Sequence, residues 1–191
     1  MEPCDLVFRD FLGIQNAECL ETVRRSACVW RYDKGELVLR AGEVQTEIPF
    51  LLSGSYWCYF TDSQGRRHME CLCDLRGFPM TPVQELSAFG KPSEVNMATL
   101  EPTEAICVPM PVVVSILEKY PEVMDAMGRL VAMSLQWHRQ YLLWNSCTVA
   151  ERYERFCGMY PELSQRLTRT AIAAILNTNL PALSRALKSP T

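Results

Sequence analysis

The 191-residue sequence predicts an α+β protein: an antiparallel β-sandwich or barrel, then a long helix, then a small α-helical unit. Short β-prone runs, separated by Gly, Asp and Ser, follow one another at a spacing of about 8–12 residues across positions 32–108. A heptad pattern of apolar residues then covers positions 123–144. Finally, positions 170–188 carry two apolar helix faces around a polar turn.

A helix and a series of strands are predicted before residue 110. Apolar residues at every third or fourth position predict a helix from Asn16 to Val29. The segment Thr61–Arg66 has the composition of a hairpin turn between two strands. The predicted strands are Glu36–Arg40, Ile48–Leu52, Tyr56–Thr61, Arg67–Leu72, Glu94–Leu100 and Glu104–Val108.

Helices are predicted from Val112 to Lys119 and from Pro121 to about Asn145. The long helix carries two neighbouring apolar stripes. The first stripe consists of Val123, Met127, Leu130, Ser134, Trp137, Tyr141 and Trp144. The second stripe consists of Met124, Val131, Leu135, His138 and Leu142. Either one stripe packs on the β-domain and the other on a second copy of the helix, or both are buried within one chain.

The C-terminal segment has the pattern of a helix-turn-helix. Its apolar positions are Ile172, Ile175 and Leu176 on the first helix, and Leu180, Leu183 and Leu187 on the second. Asn177 is expected at the turn, because Asn tolerates a positive φ better than any residue except Gly. Asn179 is expected to cap the second helix, with Pro181 in its first turn, where a missing N–H has little effect.

The second helix of this hairpin presents candidate DNA contacts on its outer face. In a helix-turn-helix this helix enters the major groove. The candidates are Asn179, Ser184, Arg185 and Lys188. Arg185 is suited to pair with guanine or with a phosphate. The alternative interpretation is an ordinary helical hairpin that closes a core.

Charge is distributed unevenly along the chain. The net charge is −3, but residues 148–191 carry six Lys or Arg and three Asp or Glu, a net of +3. Residues 1–147 carry thirteen and nineteen, a net of −6. The basic excess therefore falls on the segment with the helical hairpin, as phosphate binding requires. Because helix-turn-helix proteins usually act as pairs on two-fold sites, we predict that the first stripe of the long helix is the dimer interface.

Several protein classes do not fit the sequence. There is no apolar run of about 18 residues to span a membrane, and the N-terminus lacks the basic and apolar regions of a secretory signal. Nine cysteines without a CxxC pair indicate reduced, mostly buried thiols and a cytoplasmic location. No Ser/His/Asp set, phosphate-binding Gly loop or paired carboxylates indicate an enzyme, and we predict no metal or cofactor.

Taken in order, the segments of the chain resemble the Crp/Fnr family of bacterial transcription regulators. The segments that carry the resemblance are YDKGELVLRAGE (32–43), FLLSGSYWCYF (50–60), DSQGR (62–66), LEKYPEVMDAM (117–127), TVAERYERFCGMYPELSQRL (148–167) and IAAILNTNLPALSR (172–185). The resemblance implies a jelly-roll-like β-roll sensor domain at residues 1–118, a dimerisation helix at 119–146, and a helix-turn-helix domain without a full wing at 147–191.

The chain departs from the cyclic-nucleotide-binding members of that family. Those members hold the phosphate with an Arg that is absent from the corresponding segment, residues 80–102. Glu94 stands near the expected position of that Arg, where a carboxylate repels phosphate by several kcal/mol, and Lys91 lacks the bidentate fork of Arg. We therefore expect no cyclic AMP binding. The effector pocket is assigned to Met80, Glu85, Lys91 and Glu94.

Other family features also differ. Pro181 stands where family members commonly carry a cytosine-reading Glu. Cys4, Cys19 and Cys28 are too widely spaced for the local iron–sulfur cluster of the oxygen-sensing members. Cys71 and Cys73 would point to the same face of one strand, with His68 nearby. That group is either a haem or metal site or, as we favour, a pair of core cysteines.

The sequence thus indicates a homodimeric, cytoplasmic regulator that binds double-stranded DNA and is modulated by an unidentified small-molecule effector, or by none. No membrane partner is expected. One alternative is a small-molecule-binding or interaction module that has lost DNA binding. Another is a thiol redox sensor, for which the nine cysteines are the motive.

Overall fold

Two antiparallel sheets form the N-terminal part of the structure, a computed structural model that describes residues 2–82 and 90–188. The strands are Cys28–Tyr32 (β1), Leu37–Leu39 (β2), Glu47–Ser53 (β3), Tyr56–Thr61 (β4), Arg67–Cys73 (β5), Asn96–Thr99 (β6) and Thr103–Pro109 (β7). One sheet has the order β1-β7-β3 and the other β2-β6-β4-β5. The predicted α+β class and the six predicted strands are confirmed.

The helices follow the predicted order. They are a π-helical segment Asp5–Phe11, then Ala17–Ser26 (α1), Met110–Lys119 (α2), Pro121–Asn145 (α3), Val149–Met159 (α4), Pro161–Arg166 (α5), Arg169–Ile175 (α6) and Leu180–Ala186 (α7). The long helix runs over the predicted range. None of the described helices is long and apolar enough to cross a lipid bilayer.

The predicted N-terminal helix is too long, and β1 takes its last residues. The helix ends at Ser26, and Ala27 is extended. Val29 and Trp30 then pair with Ile106 and Ala105 of β7. A helical spacing of apolar residues continues past Ser26, but β-branched and aromatic residues favour strands. Pairing with β7 also gives their backbone N–H and C=O groups hydrogen-bond partners, so these residues form a strand.

Two clusters of buried side chains lie on opposite faces of the β2-β6-β4-β5 sheet. The roll core, between the sheets and the neighbouring helices, includes Phe8, Leu39, Phe50, Tyr56, Cys58, Met80, Met97, Ile106, Ile116 and Leu130. The C-terminal core, between the outer face of this sheet and the last helices, includes Trp57, Tyr59, Leu72, Leu100, Tyr141, Trp144, Phe156, Leu163, Ile175 and Leu183. The sheet therefore contributes to both cores, because successive residues of a strand face opposite sides.

The first stripe of α3 is buried within the chain, which corrects its assignment as the dimer interface. The buried members are Val123, Leu130, Ser134, Tyr141 and Trp144, and the half-buried members are Met127 and Trp137. The ring centroid of Trp137 lies 4.8 Å from that of Phe78. The stripe thus packs on the chain's own β-roll and last helices. Instead, the second stripe faces outward, with Met124, Leu135 and Leu142 exposed by 55%, 57% and 60%.

Candidate nucleic-acid interface

The turn between α6 and α7 is a Schellman motif centred on Asn177. The N–H of Thr178 donates to the carbonyl of Ala173 at 2.9 Å, and the N–H of Asn177 donates to that of Ala174 at 3.1 Å. This pattern requires a left-handed residue after the helix. Asn177 supplies it, with φ of 51°. The conformation predicted for Asn177 is confirmed.

The second helix begins as its sequence predicts. The side-chain oxygen of Asn179 accepts a hydrogen bond from the N–H of Ala182 at 2.9 Å. Pro181 lies in the first turn of α7, where its missing N–H removes no intrahelical bond. The cap satisfies one of the backbone donors that a helix start leaves open. A short two-turn helix therefore begins at Asn179, directly after the turn.

A single fully buried side chain anchors α7. Leu183 is 0% exposed within the C-terminal core, where α7 packs on α4 and α6. The predicted inward face also included Leu180 and Leu187, but these are 39% and 36% exposed. Their assignment is corrected, since α7 is only two turns long and its ends extend past the supporting helices. An apolar rim therefore borders the outer surface of α7.

The predicted DNA contacts lie on this outer surface. Asn179, Arg185 and Lys188 are exposed, and Ser184 is half-buried. The carbonyl oxygen of the Asn179 side chain is engaged in the cap, and its amide group can still act as a donor. Two cations, an amide and a hydroxyl thus share one short helix, a set that matches phosphate and base-edge acceptors.

Sequence reasoning missed Arg152 of α4, which contacts the end of α6. The Arg152 guanidinium donates to the carbonyl of Leu176 at 2.6 Å, at the end of α6. Arg152 is held by the start of α4, where Thr148 and Glu151 form a capping box. Glu151 accepts from the N–H of Thr148 at 2.7 Å. The Thr-x-x-Glu spacing announces the helix start, but nothing in the sequence shows that Arg152 reaches the end of α6.

The hairpin is docked on strand β5 of the roll. The side-chain oxygen of Asn177 accepts from the N–H of Met69 at 3.1 Å. The hydroxyls of Tyr141 and Tyr160 lie 2.8 and 3.1 Å from the carbonyl oxygen of Leu72 and contact each other. Burial raises the pKa of both hydroxyls, so they stay neutral. Met69 and Leu72 therefore connect the roll directly to the last helices.

An ion pair adds to this docking. Arg166 makes a bidentate contact with the carboxylate of Glu101, both distances being 3.1 Å. The hydrogen bonds of Glu101 are the main cause of the raised pKa of Arg166. The parallel geometry fixes orientation as well as charge. The last helices are thus oriented by the roll at several points.

Asn177 is expected to tolerate Gly and to reject Val. Asn177→Val places a β-branched side chain at a positive φ and should destabilise the last helices by about 1–2 kcal/mol. Asn177→Gly keeps the left-handed turn and loses only side-chain hydrogen bonds, each worth about 1 kcal/mol. Hydrogen exchange of the α6 and α7 amides measures the difference. Equal protection in both variants would contradict the role assigned to the φ angle.

The predicted effector pocket does not form as one site in the described residues. Met80 is part of the roll core and fully buried, whereas Lys91 and Glu94 are exposed. Glu85 lies outside the described residues. Burial excludes the Met80 side chain from an open pocket, so its assignment is corrected. Lys91 and Glu94 are placed at the surface instead.

The interior of the roll is filled by its own side chains. Tyr56 is buried between the sheets, and its hydroxyl donates to the carbonyl of Pro79 at 2.8 Å. Within the described residues, the enclosed cavities at the roll core measure about 30 and 10 Å³. Ligand pockets are typically about 300–1,000 Å³. Both of these cavities are therefore too small to hold a nucleotide.

His68 and Cys73 lie in different surroundings. His68 stacks on Phe60 and bonds to Asp62 at 2.9 Å, near the β4–β5 turn. Its hydrogen bond is the main cause of the lowered pKa of Asp62. Of the two cysteines predicted to lie in the core, Cys73 is buried in the roll core, whereas Cys71 is half-buried and contacts both cores. The structure describes all nine cysteines; none is in a disulfide, and most are buried or half-buried, as expected. His68 is therefore committed to the turn.

Comparison with known proteins places this fold. No family model matches the chain, and no curated protein matches it either. It is similar in structure to a transcriptional regulator described as Crp/Fnr family from Eubacterium rectale ATCC 33656, with 14% identity and a TM-score of 0.77 over 98% of this chain and 87% of that one. The c-di-GMP-responsive global regulator CLP of Xanthomonas campestris gives 16%, 0.71, 91% and 90%. FixK2 of Bradyrhizobium japonicum gives 19%, 0.66, 84% and 82%. The fold implied by the resemblance is confirmed.

Proposed function

We propose that this chain, which has the fold of Crp/Fnr regulators, is a homodimeric transcription regulator that binds double-stranded DNA through α7. The proposal rests on the way α7 is anchored on its inner side and exposed on its outer side. Leu183 anchors it, Asn179 caps it, and Arg185 and Lys188 are exposed on its outer surface. Residues 1–118, 119–146 and 147–191 then serve as the sensor domain, the dimerisation helix and the DNA-binding domain.

Each exposed group on α7 has a role that fits its chemistry. Arg185 pairs with guanine in the major groove or with a phosphate, since its fork suits both. Lys188, three residues after Arg185, contacts a phosphate through its compact ammonium charge. Asn179 donates its amide N–H groups to a base edge or a phosphate near the helix start, and Ser184 contributes a hydroxyl. Few of these groups read bases, so phosphate contacts supply most of the affinity.

Dimerisation is proposed to use the second stripe of α3. Met124, Leu135 and Leu142 are exposed, with the partly exposed Val131 and His138 between them. Together with Gly128, they recur at steps of four and three residues, which matches a helix seam. Gly128 lies on the same side, where an added Cβ would meet open space. The partner is a second copy of α3, because it carries the same repeat. Pairing of the two helices relates the two DNA-binding units by a two-fold axis.

Arg185→Ala is expected to weaken DNA binding. If Arg185 reads a guanine, the loss is about 1–3 kcal/mol and preference relaxes at one base of each half-site. If it contacts a phosphate, affinity falls on all sequences and the salt slope falls by about one charge per subunit. Selection of sites from a random DNA pool, followed by salt titration, separates these cases. The matched control is Arg25→Ala, an exposed cation on α1.

The selection also tests the proposed function itself. We expect the full chain to enrich a site with two-fold symmetry. Enrichment of no sequence, together with random-duplex binding that Arg185→Ala leaves unchanged, would overturn the DNA-binding proposal. The chain would then be better described as a small-molecule-binding or thiol redox-sensing module without DNA binding.

A further inference from the structure

A β-bulge in strand β5 brings a carboxylate to a pair of cysteines. Cys58 of β4 pairs directly with Cys71 of β5, but the next residue of β4, Tyr59, pairs with Met69. Glu70 is therefore an extra residue without a cross-strand position of its own. A bulge of this kind re-aims side chains and is frequent beside functional sites.

The two faces of β5 show the effect of the bulge. Met69 and Leu72 both pack on the C-terminal core, although three positions separate them and strict alternation would place them on opposite faces. Cys58 lies in the roll core, and Cys71 contacts both cores. A carboxylate oxygen of Glu70 and the sulfurs of Cys58 and Cys71 all lie within 4.8 Å of one another.

We propose that Cys58, Glu70 and Cys71 bind a thiophilic divalent cation of the zinc class. Zinc bonds are about 2.3 Å to Cys sulfur and about 2.0–2.2 Å to carboxylate oxygen. The ligand atoms around one tetrahedral ion therefore stand roughly 3.5–3.8 Å apart, so small side-chain movements suffice from the observed separation. Thiolates favour such ions over magnesium or calcium, which take oxygen ligands.

The surroundings of the three ligands suit an inner site. Cys58 is fully buried, and one carboxylate oxygen of Glu70 is shielded from solvent. A bound cation would replace the thiol protons, because metals deprotonate coordinating thiols.

We assign the fourth ligand position to a small cavity that Cys71 borders. A cavity of about 10 Å³ is lined by Cys71, Cys73 and Ser134, about the space that one water molecule needs. The hydroxyl of Ser134 is buried and has no hydrogen-bond partner among the described residues. A metal-bound water in this cavity would bond to that hydroxyl, which gives Ser134 a partner and completes a tetrahedral site.

The metal site lies in the strand on which the last helices are docked, so it affects the DNA binding proposed above. This coupling rests on that proposed function. Glu70 and Cys71 lie between Met69 and Leu72, the two β5 residues whose backbone groups meet Asn177 and the Tyr141 and Tyr160 hydroxyls. A cation that draws the bulge toward Cys58 therefore changes the surface on which the last helices are docked. Metal and DNA binding are thus coupled through one strand.

Cobalt(II) titration of the reduced full-length protein tests the site. We expect one equivalent per chain to produce a thiolate-to-cobalt charge-transfer band and the strong visible bands of a tetrahedral site. Cys58→Ser and Cys71→Ser should each abolish the charge-transfer intensity or weaken binding at least 10-fold, and Glu70→Gln should weaken it about 10-fold. Cys28→Ser, on the exposed edge strand, is the matched control and should leave the spectrum unchanged.

Two measurements do not require the cysteine variants to fold: the thermal midpoint with zinc and the cobalt spectrum of the wild type. Zinc should raise the thermal midpoint of the wild type, because a cation that binds the native state stabilises it, and Glu70→Gln should remove most of that rise. Absence of a thiolate band in the reduced wild type at excess cobalt overturns the site, as does a band that Cys28→Ser removes. Cobalt spectra need no DNA, so failure of the site and failure of the proposed function are separate results.

Discussion

Leu135→Glu combined with Leu142→Glu is expected to convert the proposed dimer into a folded monomer. Both side chains are more than half exposed in the single chain, so their replacement leaves the two cores intact. In the dimer, however, each change buries a carboxylate against an apolar seam and places it near its own copy. Desolvation and repulsion of such charges amount to several kcal/mol.

Loss of the dimer should reduce operator affinity by at least about 100-fold, because each monomer then binds one half-site without a second, linked DNA-binding unit. Light scattering and sedimentation report the mass, and operator titration reports the affinity. Gln136→Glu, an exposed position on the same helix, is the matched control and should remain dimeric. A wild-type protein that is monomeric at high micromolar concentration would contradict the proposed seam.

The first stripe of α3 provides a contrasting substitution. Leu130 is buried in the roll core, so Leu130→Glu should unfold the protein rather than release intact monomers, because an unpaired charge would enter an apolar core. Circular dichroism recorded beside the light scattering distinguishes unfolding from dissociation.

Leu183→Ala is expected to destabilise the last helices by about 2–5 kcal/mol, the range for a buried Leu truncated to Ala. Leu183 is the side chain that fixes α7 to α4 and α6. Without it, the cap at Asn179 holds only one end of a two-turn helix, and helices of this length are not stable alone. DNA binding should therefore fall together with stability.

Leu187→Ala is the matched control, since Leu187 is 36% exposed near the end of the same helix. We expect it to destabilise the fold by less than about 1 kcal/mol. Denaturant unfolding and the exchange of α7 amides measure both variants. Similar losses from Leu183→Ala and Leu187→Ala would show that α7 is held by a broader surface than the structure indicates.

Short-range rules account for most of what the sequence determined. The left-handed turn at Asn177 and the cap at Asn179 depend on a few adjacent residues, whose backbone preferences are independent of the rest of the chain. The same is true of the turn at residues 61–66, where the Asp62 carboxylate accepts from the N–H groups of Gln64 and Arg66. The fold class followed from these local signals and from the spacing of the β-prone runs.

Tertiary structure alone decided which surface each element presents. Both stripes of α3 repeat with the same period, so their burial was settled by the β-roll and last helices that pack on the stripe containing Leu130 and Tyr141. β1 depends in the same way on its partner β7. Likewise, Met80 belongs to the core because side chains from distant strands fill the roll.

The candidate metal site shows the same division most clearly. Cys58, Glu70 and Cys71 have no ligand spacing that a sequence would reveal. They meet because β4 and β5 pair with one register before Glu70 and another after it. Strand register is set by hydrogen bonds between distant segments, and a shift of one residue moves every later side chain to the other face. Sequence thus determined the elements and their turns, while the pairing of strands and the packing of helices determined which residues meet.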